Sequence, residues 1–521
     1  MNNAMKRLFL YLAACAALPG ALPAQEGKID ARLFEAVSPG ERASCLVVMT
    51  EQADLSAAAA IADPVERRRF VFEILTEVAR RTQAPLVEKL RAGGVPARSH
   101  YLGNFLEVQA DRSVAAELAA RPDVLRIAPN RPWRLERIPE REPSGFLGAE
   151  PSGASSPAAP GPNLERIGAT ALWARGIRGQ GIVVGDADTG FAWEHPALKP
   201  RYRGFDGATA SHAYNWHDAV HDAGAGNSCV SDSPAPCDDS GHGTSTSGLA
   251  VGDDGAGNAI GVAPGARLIG CRNMDRGVGT PARYTECFEF LLAPTDASGD
   301  NPRPDLGADV INNSWGCPAS EGCTDPQILR SVVESVKAAG VAVVVSAGNG
   351  GAACGTISDA PAIYEASFSI GATTNTDVIA SFSSRGPVTV DGSNRLKPDV
   401  VAPGFNVRTA SLPDGYTPFF TGTSASAPHV AGAVALLWSG VASLRGDVAR
   451  TEEILRGSAV PLTSGETCGP FPGNAVPNAV FGFGRIDLLA ALDLAEPPAP
   501  RIVRPLPERH PPARPLDPRR P

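Results

Sequence analysis

A chain of 521 residues exceeds one ordinary domain of roughly 150 residues, so two or three units are expected. With 43% hydrophobic and 20% charged residues it can build packed cores, which excludes wholesale disorder, and no apolar run reaches the roughly 18 residues that cross a bilayer. The formal charge of -9, with its acidic excess in residues 163–495, excludes a general nucleic-acid binder, whose affinity rests on phosphate neutralisation by Lys and Arg.

Residues 1–24 read as an export signal: Lys6 and Arg7, an apolar run from Leu8 to Leu18, then small residues ending at Ala24. Its removal would give a secreted, extracellular protein. The run Leu12-Ala13-Ala14-Cys15 resembles a lipobox and offers the alternative of a lipid anchor at Cys15, holding the chain in the bacterial envelope or periplasm. Residues 28–136 alternate CLVVMT, a charged amphipathic run from Pro64 to Ala92, NFLEVQA, VAAELAARP and VLRIAP, the pattern of a small α+β domain. Residues 137–162, rich in Pro, Gly, Ser and Ala, predict a linker open to proteolysis.

Residues 163–495 form the largest unit. Here GIVVGDAD, ARLIGC, ADVINNSW, VAVVVSAGN and FSIGAT alternate with helical patterns at 281–292 and 326–339, which predicts an α/β fold with a mostly parallel sheet. The segment Ala425 to Trp438 is apolar on all sides, as a central buried helix is. Residues 496–521 are rich in Pro and Arg, cannot pack a core, and are expected to be disordered.

Ten cysteines in an exported chain imply disulfides. Cys15 lies in the signal and Cys45 stands alone; among the rest, Cys229 with Cys237 and Cys317 with Cys323 are close enough to close short loops. The pairing of Cys271, Cys287, Cys354 and Cys468 stays open. A Cys-rich metal site competes, but there is no CxxC pair.

Three motifs place a reactive side chain beside glycines: GDADTG, GHGTSTSG and GTSASAPHVAG. Asp188 ends an apolar strand, where open α/β sheets build their sites; Asp186 is its rival, two residues away on the same face. His242 lies between Gly241 and Gly243. Ser424 precedes the buried helix, with Pro428 expected in the first turn, so its hydroxyl sits near the helix's positive end. Singly these read as a turn former, a packed histidine and a helix cap. In the order Asp, His, Ser they match a triad in which His removes the Ser proton and Asp fixes the imidazole. Asn349, ending VAVVVSAGN, could donate to the oxyanion with the Ser424 backbone N–H; its plainer reading is a turn residue.

On these motifs the chain from about 163 to 490 resembles a subtilisin-type serine peptidase (subtilase). The stretches FLLAPTDASGDNPRPDLGADVINNSWG and HPALKPRYRGFD resemble the bacillopeptidase F branch, and 28–136 is similar to subtilase propeptides. The resemblance implies a three-layer subtilisin-like domain preceded by a small ferredoxin-like α+β domain. It further implies a monomeric serine endopeptidase acting on proteins or peptides, made as a self-processed zymogen whose propeptide assists folding and then inhibits. By position it makes Asp188, His242 and Ser424 the triad, Asn349 the oxyanion residue, and Ser314-Trp315-Gly316 an edge that pairs with substrate backbone. It departs at Ser245 and Ala425, where the family usually has His and often Met; neither change removes a catalytic group.

The specificity pocket of such a protein lies between the strands ending near Ser314 and near Asn349, closed by Ser358 to Pro361 with Asp359 at its base. A carboxylate there favours Arg or Lys in the substrate, whereas a solvated loop acid is the plain alternative. No cofactor is required. Structural calcium is a family option for the loop holding His212, His217, His221, Asp232, Asp238 and Asp239, with solvated acids as the alternative. Zinc at HDAVH would need a helix. An α/β-hydrolase esterase is excluded by the chain order and the GTSAS frame; a non-catalytic protein-binding module on the same scaffold is the other class considered.

Overall fold

An antiparallel sheet at the N-terminus and a parallel sheet after it organise the computed structural model, which describes residues 27–35, 37–38, 40–130, 133–134, 160–316 and 325–496. The predicted export signal with Cys15, nearly all of the linker, the Cys317 and Cys323 pair and the Pro/Arg-rich tail lie outside these residues.

The first unit comprises β1 (Ala43–Met49), α1 (Pro64–Ala92), β2 (Ala97–His100), β3 (Phe105–Ala110), α2 (Arg112–Ala119) and β4 (Val124–Pro129). Its sheet has the order β2-β3-β1-β4. Asp63 starts α1 by accepting from the backbone N–H of Val65 and Glu66, with Pro64 at the first position, and Asp111 caps α2 in the same way. Both faces of β1 are used. Cys45, Val47 and Met49 pack under the helices with Leu86, Leu90 and Leu118, whereas Leu46 points the other way, into the core of the second unit.

A short strand β5 (Trp133–Arg134) follows, and after the linker come α3 (Pro162–Arg166) and α4 (Ala169–Ala174). The second unit then runs β6 (Val183–Asp188), β7 (Trp216–Asp218), α5 (His242–Val251), β8 (Arg267–Arg272), β9 (Met274–Asp275), β10 (Val278–Gly279), α6 (Pro281–Leu292), β11 (Val310–Asn313), α7 (Arg330–Ala338), β12 (Ala342–Ser346), β13 (Phe368–Thr373), β14 (Val400–Pro403), the hairpin β15 (Val407–Ser411) and β16 (Gly415–Phe420), α8 (Thr423–Gly440), α9 (Val448–Gly457) and α10 (Leu488–Ala495).

Seven strands form one parallel sheet in the order β14-β13-β12-β11-β6-β8-β7. Both faces are covered, which is why β12 reads AVVVS with every residue buried. Ile311, Val343 and Val345 face α6 and α7, while their neighbours Val310 and Val344 face α8. The helix α8 is buried from Thr423 to Trp438.

Pro428 falls at the sixth position of α8, past the first turn expected for it. Lacking an N–H, it cannot bond the carbonyl four residues back, that of Ser424. The Ser314 hydroxyl takes that carbonyl instead, at 3.1 Å. The orphaned acceptor therefore ties the start of α8 to the end of β11.

Disulfides join Cys229 to Cys237, Cys271 to Cys287 and Cys354 to Cys468, and Cys45 is free and buried. The first pair was expected from its spacing; the other two had no local signal.

Candidate active site

The carboxyl ends of β6, β11 and β12 lie side by side, and the segments leaving them carry Asp188, Ser314 and Asn349. The helices α5 and α8, which bear His242 and Ser424, meet through Leu249 and Ala425. Parallel pairing thus gathers stretches far apart in sequence at one end of the sheet.

Asp188 is buried, and its Oδ1 lies 2.8 Å from His242 Nδ1 and accepts from the Thr189 N–H at 2.7 Å. His242 is the first residue of α5, entered through Gly241 at φ +83°. The next residue must be glycine, since a Cβ at Gly243 would stand 2.0 Å from the Gly190 carbonyl oxygen. That close approach brings the helix against the Asp188 turn. Asp238 fastens it further: its carboxylate accepts from the N–H groups of Ser240, Gly241 and Thr244 and from the hydroxyls of Thr189 and Thr244.

Burial alone disfavours a charged imidazolium at His242, but Asp188, then Asp238 and Asp186, outweigh it, and the pKa of His242 is raised above its ordinary value. His429, on α8, is a structural histidine by contrast. It is fully buried between the Ala425 carbonyl and the Asn163 amide, and burial lowers its pKa to about 4.

Ser424 is the second residue of α8. Its hydroxyl donates to the Ser314 carbonyl at 3.0 Å, while the Ser314 hydroxyl donates back to the Ser424 carbonyl. Asn349 Oδ1 accepts from the N–H and hydroxyl of Thr423 at 2.9 and 3.0 Å, which turns the NH2 end of the amide away from Thr423. Trp315 is buried, its indole N–H on the Ala187 carbonyl at 3.0 Å and its ring stacked 3.7 Å from Tyr284. Ser245 and Ala425 are both buried: the Ser245 hydroxyl bonds the Gly241 and Ala410 carbonyls, and Ala425 packs against Leu249 and Val407. Phe420 closes the other side, its ring centroid 5.5 Å from that of His242.

Asp359 is only 7% exposed and accepts from the Ser358 hydroxyl at 2.8 Å. A Cβ placed on Gly316 would lie 3.7 Å from Asp359 Oδ2, so the carboxylate stands directly behind Gly316.

The acids and histidines considered for metal are each engaged by protein partners. His212 bonds Tyr202, His217 and His221 both bond Glu286, Asp232 bonds His221, and Asp239 bonds Arg272. HDAVH is strand and loop, without the helix that two-histidine zinc binding at that spacing needs. Among the described residues no group of three or more His, Cys, Asp or Glu is arranged to hold a metal ion.

Two features escaped the sequence reading. One is the fastening role of Asp238, read in the sequence only as a candidate metal ligand or solvated acid, whose signal was its position four residues before His242 at a helix start. The other is the edge β10, where Val278 and Gly279 pair antiparallel with Arg134 and Trp133 from the end of the first unit. Gly277 and Gly279 around Val278 were the only local hint.

Fold and site together define an α/β protein of the subtilisin type, with aspartate, histidine and serine in that chain order. The chain belongs to the subtilase family, whose pattern it matches over residues 179–484. It is 36% identical over 404 residues to bacillopeptidase F of Bacillus subtilis (strain 168), covering 76% of this chain and 26% of that protein. It is 32% identical over 287 residues to the serine protease AprX of the same organism, 50% of this chain and 58% of AprX. Over 285 residues it is 31% identical to subtilisin Savinase of Lederbergia lenta, 53% of this chain and 86% of the relative. The chain thus spans about a quarter of bacillopeptidase F and little more than half of AprX.

Proposed function

We propose that the chain is an exported serine endopeptidase that hydrolyses peptide bonds in proteins through an acyl-enzyme on Ser424. The observation that carries this reading is the 2.8 Å contact of the buried Asp188 with His242, on a helix that packs against the start of α8. With Nδ1–H held by Asp188, the lone pair of the neutral imidazole is on Nε2. Rotation about χ1 exchanges the Ser314 carbonyl for this acceptor, and His242 takes the Ser424 proton as Oγ attacks the scissile carbonyl. The oxyanion that forms is met by the Ser424 N–H and the Asn349 amide. The imidazolium then gives its proton to the departing amine, and water repeats the sequence to free Ser424. Both edges, Ser314–Gly316 and β10, offer backbone to an extended substrate, which accounts for cleavage of varied sequences.

An organophosphate fluoridate tests the activated hydroxyl. It is expected to phosphorylate Ser424 and no other serine, and to leave His242→Ala protein unlabelled. Equal labelling of that variant, or of another serine, overturns the reading.

Residues 28–136 act as the inhibitory propeptide and the protein works as a monomer. The acidic side of α6 receives them: Glu289 accepts from the N–H groups of Tyr101 and Leu102 at 2.6 and 3.0 Å, and Glu286 pairs with Arg98 at 2.6 Å. Arg68, fully buried, reaches Asp309, which also holds Arg445. When the propeptide leaves, Asp309 keeps one partner, so the enzyme is not left with an unpaired buried charge. By pairing with β10, the strand β5 occupies an edge that substrate would use. Among the described residues no helix is long and apolar enough to cross a membrane.

Asp359 sets a preference for Arg or Lys in the residue donating the scissile carbonyl, because a cation entering behind Gly316 needs a buried counter-charge. Peptide anilides ending in Arg should be cleaved faster than those ending in Phe. Asp359→Asn should lower kcat/KM for Arg by roughly 30- to 150-fold, about 2–3 kcal/mol, with little effect on Phe. Faster cleavage of Phe by the unaltered enzyme ends the idea.

A further inference from the structure

Behind the Asp188–His242 pair lies a second carboxylate that the mechanism above does not use. Asp186 is on β6, two residues before Asp188 and on the same face, and is only 3% exposed. Its partners come from two different elements. Oδ2 accepts from the hydroxyls of Thr246 and Ser247 on α5, at 2.9 and 2.6 Å, one turn beyond His242. Oδ1 accepts from the Asn312 amide on β11 at 2.8 Å. The same amide nitrogen lies 3.0 Å from the Ser314 hydroxyl, which bonds the Ser424 carbonyl left open by Pro428. A continuous chain of hydrogen bonds therefore runs from the His242 helix through Asp186, Asn312 and Ser314 to the residue that carries the nucleophile.

We propose that Asp186 is a positioning residue of the peptidase reaction, a buried hub that holds the base-bearing helix α5 and the nucleophile-bearing start of α8 in one register. The proposal rests on the assignment of His242 and Ser424 made above. Its physical basis is that a buried carboxylate with three donors is a rigid junction: the Ser247 hydroxyl and the Asn312 amide are aimed at its two oxygens, and the Thr246 hydroxyl, which also lies 3.1 Å from the Gly243 carbonyl, stays within the helix or on the carboxylate. An apolar residue at this position would let α5 slide on β6, since its first turns carry mostly small side chains.

The groups that face this junction are few. Asp188 on the same strand is the charged neighbour of Asp186, and the fields of Asp188, Asp238 and Asp186 all reach His242. Burial, then the nearby Asp188, raise the pKa of Asp186 to about 7, against the lowering by its three donors. The charge of Asp186 in turn favours the imidazolium of His242. Above about pH 7, where Asp186 is ionised, its removal should therefore lower the pKa of His242 and move the acid limb of kcat/KM to lower pH, because the base becomes neutral earlier as pH rises.

The test is a pair of variants, Asp186→Asn and Ser247→Ala, assayed as mature enzyme on a small peptide anilide alongside the unaltered protein. Asp186→Asn is expected to lower kcat at least tenfold with KM changed less than twofold, and to shift the acid limb downward. Ser247→Ala, which removes one donor and keeps the carboxylate, should lower kcat three- to tenfold with the same KM. A merely structural role would reduce melting temperature or yield and leave the acid limb and kcat of the folded fraction unchanged. That outcome overturns the proposal, as does wild-type kcat in either variant. Should Asp186→Asn fail to mature, Ser247→Ala decides alone by the same criterion. An inactive unaltered enzyme would instead count against the peptidase reading itself.

Discussion

Replacement of Ser424 by Ala is expected to abolish turnover, with kcat falling about 10^6-fold, the size of loss found when the triad serine of subtilisin is removed. The residue is not interchangeable with a neighbour: its hydroxyl is the one held at the Ser314 carbonyl beside the start of α8, and Ala425 behind it offers no nucleophile. The same substitution should stop maturation. Uncleaved protein would accumulate with residues 28–136 attached, docked through Glu286, Glu289 and the apolar face shared with α6 and α7. Intact-mass measurement of the protein made in a protease-deficient host reads both effects. Normal processing of the variant there would show that the cut is not self-inflicted.

Asp188→Asn should leave the fold in place and lower kcat by about 10^4-fold. Asp188 accepts from His242 Nδ1 and from the Thr189 N–H on one oxygen. An amide there can turn its NH2 toward Nδ1, which makes Nδ1 the acceptor and places the imidazole proton on Nε2, facing Ser424. The base is then in the wrong tautomer. Loss of the carboxylate also removes the largest influence raising the pKa of His242, so the acid limb of the residual activity should move to lower pH. Circular dichroism and a pH profile of kcat/KM distinguish this from unfolding. An Asp188→Asn enzyme with unchanged kcat, or a limb displaced upward, would contradict the roles given to both residues.

Much of this protein could be read locally. The helix over Pro64–Ala92 and the helix over 281–292 have the predicted ends, because an Asp or Thr cap followed by Pro marks a helix start without help from the rest of the fold. Strands β6, β8, β11, β12 and β13 stood out as apolar runs, since a sheet covered on both faces leaves no polar alternation. Strands β7 and β14 did not. WHD and VVAP are too short to carry a pattern and become strands only by pairing with β8 and β13. The expectation for 326–339 exceeded α7, which runs Arg330–Ala338.

The candidate site divides in the same way. Asp188, His242, Ser424 and Asn349 were legible because each sits at an abrupt change from an apolar run or a buried helix to glycine and small polar residues, a local signature. The roles of Asp186 and Asp238, and the edge β10, were not, because their partners lie on other elements: Asp186 on Ser247 and Asn312, Asp238 on Thr189 and Thr244, Val278 on Arg134. By composition and spacing alone the chain determined its parallel α/β core and singled out Asp188, His242 and Ser424 as candidates for its chemistry. Only the tertiary structure decided which carboxylate meets the imidazole, which cysteines join, and where the nucleophile's hydroxyl and carbonyl find partners. Those choices are made by contacts between residues tens to hundreds of positions apart, and nothing in the local sequence encodes which distant group will arrive.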